Sequence, residues 1–176
     1  MAGEMNLLIH TIGHSNHTTA AFVDLLSRHE ITLVVDVRSQ PYSRWAHQFN
    51  RETLARDLQD AGIAYQFMGD ALGGRPADPT LYDPDQERPD YQRVEQTPVY
   101  QAGIDQLLDL ARPPFPPKLG GLRGVAVMCS EGDHRRCHRH LLITQTLLGR
   151  GVRVLHIQPD GATVEGERIA QQLSLF

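Results

Sequence analysis

The chain has 176 residues, of which 40% are hydrophobic and 22% are charged, as is usual for a single globular domain with a substantial core. A net charge of −4 argues against a protein that coats nucleic acid through a broad basic surface, but it is compatible with an enzyme that has a local basic site. The sequence has no apolar run of about 18 residues and no signal-peptide pattern at its start. We therefore expect a cytoplasmic protein without a membrane partner.

Strand and helix patterns alternate along the first part of the chain. Continuous apolar runs predict strands over 7–12, 31–37 and 63–68. Apolar residues at helical spacing predict one helix from Thr18 or Thr19 to about His29 and another over 51–61. Residues 69–98 contain two adjacent glycines and several prolines, which predicts a long and mostly irregular insertion.

The second part of the chain continues this alternation. Strands are predicted over 124–128 and 152–157, and helices over 99–111, 137–149 and about 164–171. A proline-rich segment, 112–118, predicts a stiff surface connection before the fourth strand.

The alternation predicts an α/β fold, a three-layer Rossmann-like sandwich with helices on both faces of a mostly parallel sheet of about five strands. We expect the first strand to be central, residues 1–171 to form one domain and residues 172–176 to form a tail. No Gly-x-Gly-x-x-Gly follows the first strand, so a dinucleotide is not indicated, and no other motif indicates a cofactor.

Polar residues gather where the predicted strands end. Ligands of such sheets bind outside the carboxyl ends of the strands. A single polar residue there would be interpreted as a cap or a turn, but several strand ends together predict a site. The residues at these ends are His14, Ser15, Asp36, Arg38, Cys129, Glu131, His156 and Asp160.

A basic segment, 134–140, combines three arginines and three histidines without an acid at the start of a predicted helix. Helix N-termini attract anions, and arginine is the usual residue for bidentate phosphate binding. Arg135 and Arg139 are therefore predicted to bind phosphate. The alternative is a solvated turn whose charges pair with surface acids.

A second segment, 42–49, mixes cationic and aromatic residues after the second strand. This mixture suits stacking on a base or clamping a nucleic-acid backbone, with Ser43 and Arg44 near the phosphate. Trp45 and Phe49 could equally anchor the loop to the core, and both interpretations stay open.

The last five residues resemble the peptide by which bacterial polymerases and repair proteins dock onto the sliding clamp. An extended tail can place its apolar side chains in a groove while a glutamine fixes the register. The alternative is that the tail folds back onto the core. The residues are Gln172, Leu173, Ser174, Leu175 and Phe176.

Motifs spread from about Ile9 to Asp160 resemble the domain-of-unknown-function 488 family. The resemblance implies a bacterial or archaeal origin and a compact α/β domain, and it implies no established reaction. The motifs are Thr11-Ile12-Gly13-His14-Ser15, Val35-Asp36-Val37-Arg38 with Pro41 and Ser43-Arg44, Leu72-Gly73-Gly74, Cys129-x-Glu131 and Cys137-His138-Arg139.

The segment from Cys129 to Arg135 also reads Cys-x-x-Gly-x-x-Arg between a strand and a helix. It resembles the phosphate loop of cysteine phosphatases, in which a thiolate attacks phosphorus. Asp133 or Asp36 would then be the general acid. The Ser or Thr usual after the arginine is replaced by Arg136.

Cys129 and Cys137 admit other interpretations as well. They could bind zinc with a neighbouring histidine, form a redox pair or be buried thiols. Without a paired Cys-x-x-Cys the zinc signal is weak, so no metal is predicted.

The main hypothesis is a clamp-recruited enzyme that handles DNA or a nucleotide. Glu131 or Asp36 would act as general acid–base or nucleophile, with His14 and His138 carrying or orienting protons. The alternatives are a cysteine-phosphatase-like hydrolase that uses Cys129 and a non-enzymatic nucleic-acid-binding adaptor. The predicted phosphate-binding residues are Ser15, Arg38, Ser43, Arg44, Gly73, Gly74, Arg135 and Arg139.

Overall fold

A six-stranded sheet forms the centre of the protein in the computed structural model, which describes residues 7–112 and 124–170. The strands are β1 (Leu8–Gly13), β2 (Ile31–Asp36), β3 (Ala64–Phe67), β4 (Gly124–Cys129), β5 (Arg153–Ile157) and β6 (Thr163–Glu165). Their order is β3-β2-β4-β1-β5-β6, and every neighbouring pair is parallel except β5 and β6. The predicted mostly parallel sheet with a central first strand is confirmed.

The sixth strand lies where the sequence predicted a helix over about 164–171, and that prediction is wrong for the described residues. β6 turns back antiparallel onto the edge of β5, with Gly166 N donating to Val154 O over 2.8 Å. Arg153 and Glu165 form an ion pair across the two strands. Pairing with an exposed sheet edge therefore outweighs the helical periodicity of this short segment.

Helices cover both faces of the sheet. They are α1 (Thr19–Arg28), α2 (Arg51–Asp60), α3 (Gly69–Leu72), α4 (Tyr91–Glu95), α5 (Pro98–Ala111) and α6 (Gln145–Gly149). Short 3₁₀ turns occur at His47–Phe49, Pro79–Leu81 and His134–Arg136, and a π-helical stretch, Arg139–Thr144, runs into α6. Thr18 caps α1 as predicted, because its Oγ1 accepts a hydrogen bond from Ala21 N.

Alternating side chains divide the core into two layers. On β4, Ala126 and Met128 pack with the buried side of α1 and α2, whereas Val125 and Val127 pack with α5 and α6. Both layers consist almost entirely of aliphatic and aromatic residues with little or no exposed surface. The fold is a Rossmann-like α/β sandwich, as predicted.

The insertion over 69–98 is more ordered than predicted. It contains α3, a 3₁₀ turn and α4, and its Leu72, Leu81 and Val94 are buried in the layer of α5. These apolar anchors hold the insertion over the carboxyl edge of the sheet. No helix within 7–112 and 124–170 has the length and apolar character needed to cross a membrane.

Candidate functional site

The loops that follow β1 and β4 pack directly against each other at the carboxyl edge of the sheet. His14 N donates to Cys129 O over 2.9 Å, and Ser15 N donates to Ser130 O over 2.9 Å. A Cβ on Gly13 would lie 1.8 Å from Glu131 O, so only glycine permits this approach. The contact brings the predicted ends of the first and fourth strands together.

Asp36 holds Arg38 rather than facing the open edge. Arg38 donates from Nε to Asp36 Oδ1 over 2.9 Å and from Nη2 to Oδ2 over 2.7 Å, and Tyr65 Oη donates to Oδ2 over 2.7 Å. Asp36 is fully buried. Burial and the bond to this carboxylate raise the pKa of Tyr65, which keeps the phenol protonated as a donor. Asp36 is thus placed to orient Arg38.

His14 is a second support for Arg38. Its Nδ1 donates to Ser15 O over 2.9 Å, which leaves Nε2 to accept from Arg38 Nη1 over 3.3 Å. Its ring stacks on Phe49 with centroids 4.3 Å apart. Burial lowers the pKa of His14 to about 4, so the imidazole is neutral at pH 7 and can accept this bond.

Arg139 lies inside the loop after β4. It is fully buried, and it donates from Nη1 to Glu131 O over 2.6 Å, from Nη2 to Gly132 O over 3.2 Å and from Nε to Thr11 Oγ1 over 3.3 Å. Within the described ranges no carboxylate pairs with it. The guanidinium therefore fixes the shape of the loop through backbone carbonyls.

Both cysteines meet one imidazole at the end of β4. His138 Nδ1 lies 3.7 Å from Cys129 Sγ and 3.7 Å from Cys137 Sγ. His138 Nε2 donates to Val37 O over 3.1 Å, so in the neutral ring the lone pair of Nδ1 faces the two sulfurs.

The two thiols differ in acidity. A hydrogen bond from Cys137 holds the pKa of Cys129 well below its usual range, and His138 and Arg139 add to this effect. The same contact, together with burial, raises the pKa of Cys137. Cys129 is therefore the sulfur that carries negative charge more readily.

The insertion packs directly on this imidazole. A Cβ on Gly74 would lie 2.6 Å from His138 Cγ. A side chain at residue 74 would consequently displace either the insertion or the His138 ring. Gly74 is thus part of the site because only a residue without a side chain fits against the His138 ring.

A pocket of about 480 Å³ opens at this edge. Its floor is formed by the buried residues Cys129, Cys137 and His138, and the rest of its lining is mostly charged or polar. The remaining lining residues are Arg38, Ser39, Gln40, Gly74, Arg75, Glu87, Arg88, Tyr91, Ser130, Glu131 and Arg136. Arg38 is neutralised by Asp36, and the other three arginines against two glutamates leave an excess of positive charge that attracts anions.

Three arginines of the pocket rim have no acidic partner in the described part of the chain. Among the described residues, Arg75, Arg88 and Arg136 form no ion pair with a carboxylate. Arg88 only lies over the ring of Tyr91, 5.4 Å from its centroid. Elsewhere most arginines on the surface are paired, for example Arg93 with Asp83 and Asp90. Arg44, Arg51 and Arg168 also form no ion pair within the described ranges, but only Arg75, Arg88 and Arg136 share one pocket.

Several predicted phosphate-binding residues do not line this pocket. Arg135 forms an ion pair with Asp133, with Nε 3.0 Å from Oδ1, and these bonds hold the pKa of Asp133 at about 2. Ser43 Oγ accepts from Trp45 N and Ala46 N and so closes a turn. The others outside the lining are Ser15, Arg44, Gly73 and Arg139.

The anchoring interpretation of the segment over 42–49 holds for Phe49 but not for Trp45, and the nucleic-acid interpretation stays a prediction. Phe49 is fully buried and anchors the segment, whereas Trp45 is 95% exposed. The predicted clamp-binding residues, 172–176, lie outside the described part of the chain.

Sequence reasoning did not single out Arg75, Arg88, Arg136, Glu87 or Tyr91 as site residues. Four of them lie in or next to the short helices of the insertion, for which the sequence predicted no regular structure. The length of the insertion was the available signal, since long loops in compact domains are often functional.

A histidine cluster lies near Arg139 and is joined to it through the Thr11 hydroxyl. The ring nitrogens that His134, His140 and His156 offer lie within 4.8 Å of one another. His156 Nδ1 bonds Thr11 Oγ1 over 2.7 Å, and its Nε2 lies 3.1 Å from His140 Nδ1. Burial lowers the pKa of His134 to about 4 and that of His156 to about 3.

Comparison with known proteins identifies a family. The family model described as domain of unknown function DUF488 matches residues 18–145, and the chain belongs to this family. No curated protein and no solved structure gives a significant match.

Proposed function

We propose that this DUF488 member is an enzyme that handles DNA or a nucleotide and acts on a phosphate-bearing substrate in the arginine-rimmed pocket. The observation that carries the proposal is the set of rim arginines that have no acidic partner among the described residues, Arg75, Arg88 and Arg136, beside the oriented Arg38. Arginine presents a planar fork that suits phosphate oxygens. We further propose that the protein is bacterial or archaeal and cytoplasmic, as its sequence led us to expect.

The size and setting of the pocket support a small organic phosphate or one end of a nucleic-acid strand. Its volume of about 480 Å³ falls in the range of about 300–1,000 Å³ that is usual for small-molecule sites. It lies outside the carboxyl ends of parallel strands, where Rossmann-like folds bind their ligands. Tyr91 lines the same pocket and could stack on a base.

Glu131 is the carboxylate best placed for general acid–base chemistry. It lines the pocket and is exposed, and its backbone is held by Arg139. Asp36 is committed to Arg38 and Tyr65, which makes it an orienting residue. His14 supports Arg38 in the same way.

Glu131→Gln tests this role against a matched control, Glu87→Gln, which removes the other carboxylate of the pocket. Turnover would be screened on single-stranded DNA, duplex DNA and nucleotides. Loss of a general acid–base lowers turnover by about 10²–10⁴-fold, so Glu131→Gln should lose activity while keeping its unfolding midpoint. If Glu131→Gln were as active as a fully active Glu87→Gln control, Glu131 would have no role in the mechanism.

Recruitment by a bacterial sliding clamp is the second part of the proposal, and it rests on the sequence of residues 172–176. Tethering to a clamp would raise the local concentration of the enzyme on DNA. The test compares clamp binding by the full chain and by a version without these five residues. Micromolar binding that disappears with the tail is expected. Binding that survives its removal would reject the tail as the docking peptide.

A cysteine-phosphatase-like hydrolase is the alternative, favoured by one contact. His138 Nδ1 lies 3.7 Å from Cys129 Sγ, as required for a base that activates a nucleophile. Against it, Arg135 pairs with Asp133 and does not line the pocket. This alternative predicts hydrolysis of p-nitrophenyl phosphate that is abolished in Cys129→Ser. DNA binding without turnover of any substrate would instead indicate the non-enzymatic adaptor.

A further inference from the structure

We propose that Cys129, Cys137 and His138 form a zinc site at the floor of the pocket. The ligand atoms these three residues offer lie within 4.8 Å of one another. They come from two places in the fold: Cys129 ends β4, whereas Cys137 and His138 directly precede the π-helical stretch. The site therefore forms only when the loop after β4 is folded.

The measured separations agree with a shared tetrahedral ion. Zinc lies about 2.3 Å from a thiolate and about 2.0–2.1 Å from an imidazole nitrogen, so a tetrahedral angle separates sulfur from nitrogen by about 3.6 Å. His138 Nδ1 lies 3.7 Å from both Sγ atoms. Both sulfur–nitrogen separations are therefore close to those of a shared tetrahedral ion.

The support around His138 also resembles that of a metal ligand. Its Nε2 donates to Val37 O over 3.1 Å. Histidines that bind metals almost always donate their second ring N–H to a carbonyl or carboxylate, which fixes the ring and its tautomer. The Nδ1 lone pair is consequently directed at the sulfurs before any ion arrives.

The ligand set selects the metal. Two thiolates and an imidazole favour zinc over calcium or magnesium, which prefer oxygen ligands. Both cysteines and His138 are buried, and two thiolates balance the charge of one Zn²⁺, so the loaded site adds no net charge to this interior.

The fourth position of the ion would face the pocket, because all three ligands line it. Catalytic zinc sites keep such an open position for water or substrate, whereas structural sites are closed by four protein ligands. A phosphate oxygen or a water held there would lie within the arginine rim. This role of the ion rests on the proposed function, whereas binding of the ion does not.

The histidine cluster is the weaker candidate although it has three nitrogens. The rings of His134 and His156 stack with centroids 4.0 Å apart and planes 14° apart. Imidazole lone pairs lie in the ring plane, so those of two nearly parallel stacked rings cannot converge on one ion. Replacing His140 removes a nearby histidine that is not a ligand of the proposed site, so this variant is a matched control for metal binding.

The test measures zinc bound by the full-length protein, without any substrate, by competition with a colorimetric chelator. We expect one zinc per chain. Replacing a supporting residue of a metal site already weakens binding by about 10–100-fold, so Cys129→Ser and Cys137→Ser should each weaken it by more than about 100-fold. The control His140→Gln should bind as tightly as the wild type. Unchanged affinity in both serine variants would overturn the proposal.

If the serine variants do not fold, binding of cobalt to the wild type shows whether the cysteines are metal ligands. Thiolate ligation gives a strong sulfur-to-cobalt charge-transfer absorption, and tetrahedral geometry gives visible bands. Cobalt binding without the charge-transfer absorption would reject the cysteine ligands. Zinc binding without nucleotide binding would reject the proposed function but not the zinc site. Nucleotide binding without zinc binding would reject the zinc site but not the proposed function.

Discussion

Replacing Arg139 by methionine should destabilise the protein although it removes an uncompensated buried charge. The guanidinium donates to Glu131 O and Gly132 O over 2.6 and 3.2 Å. Methionine fills much of the volume but leaves two part-buried carbonyls and the buried Thr11 hydroxyl without this donor, and leaving a buried polar group unsatisfied costs about 1–3 kcal/mol. The gain from not burying a charge offsets part of this loss. We expect a net loss of about 3 kcal/mol.

Urea unfolding of Arg139→Met and of a matched variant, Arg135→Met, checks this value. A loss of about 3 kcal/mol is a large part of the free energy of unfolding of a domain, which is about 5–15 kcal/mol. Arg135 carries the same charge four residues earlier but pairs with Asp133 on the surface, so its replacement should change little. Equal stability of the two variants would refute the view that Arg139 holds the loop.

Three further predictions concern other parts of the site. Asp36→Asn should reduce stability by about 3–5 kcal/mol in urea unfolding, because it leaves the buried charge of Arg38 without its partner; an unchanged midpoint would contradict this. Gly74→Ala should weaken zinc binding by at least about 10-fold, because the new Cβ would lie 2.6 Å from His138 Cγ; unaltered affinity would show that the insertion yields without moving the ring. His156 has a folded pKa of about 3, below the unfolded value of about 6.5, so the unfolded chain binds the proton more tightly. The contribution of His156 to stability should therefore be complete above about pH 6.5 and fall by up to about 3 kcal/mol between pH 6.5 and pH 4, in addition to the losses from His10, His14 and His134, whose pKa values are lowered to about 4. The variant His156→Gln should lose less over this interval in urea unfolding, and an identical loss would contradict the assignment.

The layers of the fold could be predicted from the sequence because apolar periodicity reports burial directly. β2 is continuous and apolar since it is covered on both faces. β6 could not be predicted in this way. It is three exposed residues long, and its pairing with β5 depends on a sheet edge that exists only after folding.

The position of the pocket was predictable from the sequence, but its lining was predictable only in part. Strand ends indicated the edge of the sheet at which the pocket opens, and three residues predicted there, Arg38, Cys129 and Glu131, line it. Charge alone could not separate Arg135, which pairs with its neighbour Asp133, from Arg136, which lines the pocket. The difference depends on the direction of each side chain in a 3₁₀ turn.

The convergence of the cysteines also depended on the fold. Cys129 and Cys137 are eight positions apart in the sequence, and this spacing indicated only a weak metal signal. The buried Arg139 holds the intervening loop by its carbonyls, so the two sulfurs reach the same imidazole nitrogen. A long-range polar network of this kind leaves no periodic pattern in a sequence.

Phosphate binding by the pocket can be tested by fluorescence anisotropy, with a fluorescent, 5′-phosphorylated single-stranded DNA oligonucleotide titrated over a range of salt concentrations. The double variant Arg88→Ala/Arg136→Ala removes two unpaired arginines of the pocket rim, and Arg93→Ala/Arg153→Ala removes the same charge from paired surface positions. We expect weaker binding only in the first variant, with a salt slope smaller by about 0.7 for each phosphate that the pocket no longer neutralises. Equal affinities and slopes in the two variants would contradict a phosphate-binding pocket.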